Sequence, residues 1–238
     1  MSTRPEIISG KKVAEQADVL VPQIGKLLNT LFMARPWREP DDQPAVENRI
    51  RQQIRTDDGA LPVIAIRRSP DDKDVLISAA VTTILPRKNG PQILKARLLR
   101  EPFIADTQAN PEPEVAQFCD EVGRRAHGGR IHIHYEVGTV NGYRKDPEAD
   151  LLNAEVAAAG IIRGATVFVG GTKVGSGWDN KMKTLNLFDH TQLTTPKDGN
   201  DPVELFMGGG NGKYFAGAAM YAGRAVSKEV NKRLKKKR

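Results

Sequence analysis

The 238-residue chain is poor in several things, and each shortage excludes something. It has one cysteine, Cys119, so no internal disulfide forms and no cysteine cluster binds zinc. Aromatic residues make up 5%, so the core has to be aliphatic. No apolar run approaches the roughly 18 residues that a membrane-spanning helix requires. The start of the chain, MSTRPEIISG, has no apolar stretch of the kind a secretory signal peptide carries. The expected setting is therefore the cytoplasm or a virion. No internal repeat is visible.

Charge imbalance is missing as well, until the last fifteen residues. Arg224, Lys228, Lys232, Arg233, Lys235, Lys236, Lys237 and Arg238 are eight basic side chains against one acid, Glu229. They account for the whole formal net charge of +7. The body is neutral, and the pI near 9.5 belongs to the tail. Clustered lysine and arginine attract phosphates and release counterions. The tail is thus expected to contact nucleic acid or another polyanion, and the neutral body to pack against copies of itself or other assembly subunits.

Apolar spacing organises the rest. Val13, Ala17, Leu20, Ile24, Leu27 and Leu31 recur every three or four residues and predict a helix, kinked or broken at Pro22. Val46, Ile50 and Ile54 predict a second helix, with Asp42 as N-cap and Pro44 in its first turn. LPVIAIRR (61–68), DVLISAAVTTILPR (74–87) and QILKARLLR (92–100) read as three strands of an antiparallel meander. Val115, Phe118, Cys119 and Val122 mark a helix ending at Gly128-Gly129. Residues 130–140 read as a strand, followed by a hairpin turn at Asn141-Gly142. A helix starts at Asp146-Pro147-Glu148, and strands follow at 165–171 and 182–188. The last helix is expected from about Phe215, with Ala219, Ala222, Val226, Val230 and Leu234 on its apolar stripe. The fold class is α+β: an antiparallel sheet flanked by helices, with a helical N-terminal region (1–58), a mixed body (59–213) and a basic C-terminal helix (214–238).

Two segments invite a chemical reading. Gly208-Gly209-Gly210-Asn211-Gly212-Lys213 fails as a phosphate loop, because Met207 stands where glycine is required and Tyr214 where serine or threonine is. In GRIHIHYEV (129–137), strand alternation puts His132, His134 and Glu136 on one face and the apolar residues on the other. Two imidazoles and a carboxylate at that spacing are candidate ligands for a divalent metal. Alternation by itself also predicts a plain outcome, a buried apolar face and a wet polar one.

The stretch Gly129–His134 resembles the His-hydrophobic-His motif of HUH endonucleases, the rolling-circle replication initiators. Tyr221 and Lys228 in AAMYAGRAVSK (218–228) match that family's tyrosine helix in position. The resemblance implies metal-assisted single-strand cleavage, with Tyr221 as nucleophile and His132, His134 and Glu136 at the metal. Ala225 departs from the pattern, and the two pieces span about twenty residues. The charge layout favours a different role: a non-enzymatic structural or assembly protein, such as a phage or viral particle component, touching nucleic acid through its C-terminal helix. No cofactor is expected for that role. The nuclease, with its metal, is the first alternative, and an RNA-binding subunit of a ribonucleoprotein complex the second.

Overall fold

A computed structural model of the chain describes residues 4–33, 42–101, 112–143, 147–173, 204–208, 215–222, 227, 230–231 and 235. In chain order the elements are β1 (Glu6–Ser9), α1 (Lys11–Met33), α2 (Gln43–Gln53), β2 (Leu61–Arg68), β3 (Leu76–Ile84), α3 (Gly90–Leu98), α4 (Glu112–Ala126), β4 (Arg130–Thr139), α5 (Pro147–Ile162), β5 (Ala165–Lys173), β6 (Glu204–Gly208) and β7 (Phe215–Ala222). The expected α+β class, a largely antiparallel sheet flanked by helices, is what the structure has. Among the described residues no helix is long and apolar enough to cross a membrane.

Two compact units share the chain, and strand β4 runs through both. The first holds Met1–Ile84, His134–Gly160 and Lys232–Arg238, the second Leu85–Ile133 and Ile161–Asn231. These units interleave along the chain.

In the first unit the strand order is β1-β2-β3-β4. β1 pairs antiparallel with β2, and β2 with β3, from Leu61 opposite Ile84 to Arg67 opposite Ser78. Both faces of this hairpin are covered, which is why β2 and β3 read as almost continuous apolar runs. Ile64, Ile66, Ala79 and Val81 point to one side, where they pack with Leu20, Ile24 and Leu28 of α1 and Val46 and Ile50 of α2. On the other side Val63, Ala65, Ala80 and Ile84 pack with Leu152, Val156 and Ala159 of α5. The period of two on the strands and of three to four on the helices meet in these two layers. Helix α1 runs uninterrupted from Lys11 to Met33 with Pro22 inside it.

In the second unit the order is β4-β5-β7-β6. The backbone of Arg130 donates to Gly164, so β4 and β5 begin side by side, as parallel strands do, with α5 as the crossover. Asn141-Gly142 therefore makes no hairpin. It forms a single 3₁₀ turn that leads into α5.

Two elements differ from the sequence reading. Residues Gly90–Leu98 form helix α3 where a strand was expected. The run is rich in good helix formers, and Leu94, Arg97 and Leu98 are its buried side. Nor do residues 215–222 open the last helix. They form β7, paired antiparallel to β5 (Phe168 opposite Tyr221) and to β6 (Phe206 opposite Gly217). Alanine and glycine there carry no local signal strong enough to resist pairing on both sides. Of the expected helix, Ser227, Val230, Asn231 and Lys235 are helical. The strand expected at 182–188 and Gly209–Tyr214 lie outside the described residues.

Candidate functional site

The polar face of β4 is buried. His132 is 0% exposed, His134 8% and Glu136 9%. The wet face that alternation suggested is absent: at Glu136 and Gly138 this side of the strand meets α2 and α1. Gly138, two residues on, explains how closely. A Cβ there would sit 2.5 Å from Leu31 Cδ1 and 2.9 Å from Leu28 Cδ2, so the missing side chain lets α1 approach the strand.

Two donors converge on Glu136. Arg49 donates from Nε to Glu136 Oε1 at 2.9 Å, and Gln53 donates from Nε2 to the same oxygen at 3.2 Å. Both donors come from α2, four residues apart, and so from one side of that helix. Thr83 of β3 donates its hydroxyl to the Gln53 carbonyl at 2.8 Å, which satisfies a helix-end carbonyl and pins the end of α2 to the sheet. The start of α2 is held by the expected cap: Ala45 N–H donates to Asp42 Oδ1 at 2.9 Å. Replacing Asp42 by alanine is expected to cost about 1 kcal/mol of stability, read from the midpoint of urea unfolding.

His134 belongs to the same face of β4 by alternation. Burial pushes its imidazole down to about 4, so it is neutral around pH 7, with one nitrogen able to accept a proton and the other to donate one. Cys119, by contrast, is no nucleophile. Burial pushes its thiol up to about 12, and the thiolate is the reactive form.

The residues singled out from the sequence fall in different places. In the second unit the His132 ring packs on Phe168 of β5, with centroids 5.2 Å apart and planes tilted by 60°. Among the described residues no three His, Cys, Asp or Glu side chains are placed to hold a metal ion together. Alternate residues of a strand are spaced about 6.6–6.8 Å apart, and Glu136 is engaged by Arg49 and Gln53. Tyr221 lies on strand β7, not on the helix that an HUH nucleophile requires. Of the tail, Lys235 is helical and exposed. Arg224, Lys228, Lys232, Arg233, Lys236, Lys237 and Arg238 lie outside the described residues.

Sequence reasoning missed Arg49, Gln53 and Thr83. One sign was available: Gln53 falls on the Val46–Ile50 stripe, where a polar side chain has to find a buried partner.

No protein-family model matches the chain, and no curated protein does. Solved structures do resemble it. A CoA-dependent acyl-homoserine lactone synthase, BjaI, with SAM and isopentyl-CoA, has a TM-score of 0.49 at 10% identity, over 97% of this chain and 89% of that one. The polyamine N-acetyltransferase of Drosophila melanogaster has a TM-score of 0.48 at 10% identity, over 91% of this chain and 100% of that one. A putative acetyltransferase of the GNAT family from Desulfovibrio desulfuricans has a TM-score of 0.45 at 9% identity, over 92% and 99%.

These neighbours are acyl- and acetyltransferases, which corrects the functional expectations. The HUH resemblance, the non-enzymatic particle component with its nucleic-acid tail and the RNA-binding subunit all find no counterpart among them. At identities of 9 to 10% the likeness sets neither the family nor the activity of this chain.

Proposed function

We propose that the protein is an enzyme, that the buried polar face of β4 is its reaction centre, and that its reaction is acyl transfer. The observation that carries the enzyme reading is the Arg49–Glu136–Gln53 network beside His134. A buried ion pair is a poor source of stability, since desolvation offsets its attraction. A carboxylate fixed by two donors next to a neutral imidazole is a suitable arrangement for moving a proton.

In acyl transfer from a thioester to an amine, the amine nitrogen attacks the carbonyl carbon. The carbon–sulfur bond then breaks, the nitrogen loses a proton and the leaving thiolate gains one. His134 is assigned as the group that takes the proton, and Glu136 with its two donors as the fixed charge that orients the centre. The choice of acyl donor follows the kind of protein the chain resembles, and the assay decides that part.

The test is calorimetric titration of the full chain with coenzyme A thioesters of increasing acyl length, followed by thiol release in the presence of amines. Saturable binding and amine-dependent release are expected. In His134→Gln, release is expected to fall by about 10²-fold or more while thioester binding is kept. Failure of every thioester to bind the native chain removes the acyl-transfer reading. Full turnover in His134→Gln removes the assignment of the base.

A further inference from the structure

Three connections of the second unit meet at one end of its strands. Leu85, just past β3, donates its N–H to Ile131 of β4 at 2.8 Å, so residues 86–89 run on past the start of β4. Arg130, the first residue of β4, donates its N–H to Gly164, in the turn between α5 and β5, at 3.0 Å. The Arg87 guanidinium lies against that same glycine, with Nη2 3.3 Å from where a Cβ would stand. Thr166 of β5 donates its hydroxyl to the Ala126 carbonyl at 2.8 Å, which brings the end of α4 here too. Gly164 closes its own turn by donating to Ile161 at 2.9 Å. Within that turn Ile162 is 82% exposed.

The charge at this end is of one sign. Arg87 and Lys88 are exposed, and Arg130 is half-buried. Among the described residues none of the three has a carboxylate partner. Glu121, the acid on the last turns of α4, is held by Arg124 and Arg125. A solitary exposed isoleucine is ordinary on a protein surface. This one stands in a turn that Arg87 and Arg130 both reach.

We propose that this end of the second unit docks on an anionic lipid surface. Ile162 enters the boundary between headgroups and acyl chains, and Arg87, Lys88 and Arg130 meet the headgroup anions. Charge complementarity makes the partner anionic, and the isoleucine makes it lipid. A stable protein interface buries about 800 Å² on each side around an apolar centre, which one isoleucine on a turn does not provide. Residues 86–89, 127–129 and 161–164 hold no Phe, Tyr or Trp on which nucleic-acid bases would stack. The surface shares no residue with the Glu136–His134 centre, so either reading stands without the other.

The experiment is sedimentation of the full chain with vesicles of phosphatidylcholine, alone or with about one third phosphatidylserine. Saturable binding to the anionic vesicles is expected, weakening as salt rises, with little binding to the neutral ones. Each cation lost should weaken binding about fivefold, so Arg87→Gln/Lys88→Gln should weaken it about 25-fold. Ile162→Ser should weaken it about tenfold. The Tm of both variants should match the native chain, because the changed side chains are exposed. Binding that both variants retain in full assigns the attraction to the basic tail and overturns the proposal. An Ile162→Ser chain that alone binds like the native one overturns it too, since the isoleucine then plays no part. So does equal sedimentation with the two vesicle types, or binding of polyglutamate or duplex DNA without binding of vesicles.

Discussion

Glu136→Ala is expected to cost about 3–5 kcal/mol of folding stability, among the largest effects of any single substitution here. The reason is asymmetric. The substitution removes the carboxylate but leaves the Arg49 guanidinium and the Gln53 amide in a covered layer without the acceptor they share. The Arg49 and Glu136 side chains are 15% and 11% exposed, so water does little to screen the loss. Replacing both partners tests the cause. In Arg49→Met/Glu136→Leu no charge is stranded, and stability should return to within about 1 kcal/mol of the native chain or exceed it. Urea unfolding of the four proteins gives the coupling energy directly. A single-variant cost below about 1 kcal/mol would mean that the pair behaves as an exposed one. If Glu136 also serves the reaction, the double variant should be stable and inactive, which separates folding from function.

The second large effect is a loss of stability in mild acid. His134 titrates near 6.5 in the unfolded chain and near 4 in the folded one. The unfolded state therefore binds a proton over this interval that the native state refuses, and stability falls as pH falls. Relative to pH 7, the loss should be about 2 kcal/mol at pH 5 and about 3 kcal/mol at pH 4, and then level off as the native imidazole also protonates. Carboxylates add their own slope at the acid end. Glu121, held down to about 2 by its hydrogen bonds from Arg124 and Arg125, is one that stays ionised throughout. The difference between the native chain and His134→Gln isolates the imidazole. Parallel stability curves for the two proteins between pH 7 and 4 would show that His134 is not desolvated. The same neutral imidazole predicts a His134-dependent activity that stays level from pH 8 to about 5.

Much of the local structure was legible because its signal is local. Val46 and Ile50 at helical spacing, Asp42 before them and Pro44 in the first turn marked α2, and the Asp42 cap is there. LPVIAIRR matches β2 residue for residue. The helix read from Val115 to Val122 ends at Ala126, and the chain turns away through two left-handed residues, His127 (φ +46°) and Gly128 (φ +74°), just ahead of where the glycine pair was expected to end it. Misreadings arose where the local signal was divided. QILKARLLR is aliphatic enough for a strand, yet it has one β-branched residue, and it folds as α3 against α4 with Lys95 paired to Glu112 at 2.8 Å. The stripe read from Ala219 to Leu234 crossed a real boundary, because Ala219 and Ala222 belong to β7.

The candidate site was half legible. His132, His134 and Glu136 stood out by spacing alone, and all three are buried. Their partners did not, since Arg49 lies 87 residues from Glu136 in sequence and Gln53 lies 83. Nor did the sequence say that this face is covered.

What the sequence by itself determined is the pattern of most segments: helical spacing for α1, α2, α4 and α5, continuous apolar runs for β2 and β3, and alternation for β4. What only the tertiary structure decided is which faces are dry. Alternation divides a strand into sides, but burial depends on what packs there. The helices that meet Glu136 and Gly138 come from far upstream. That packing turns a row of His and Glu that could have faced water into an ion pair and a neutral imidazole held at the α1–α2 side of the sheet.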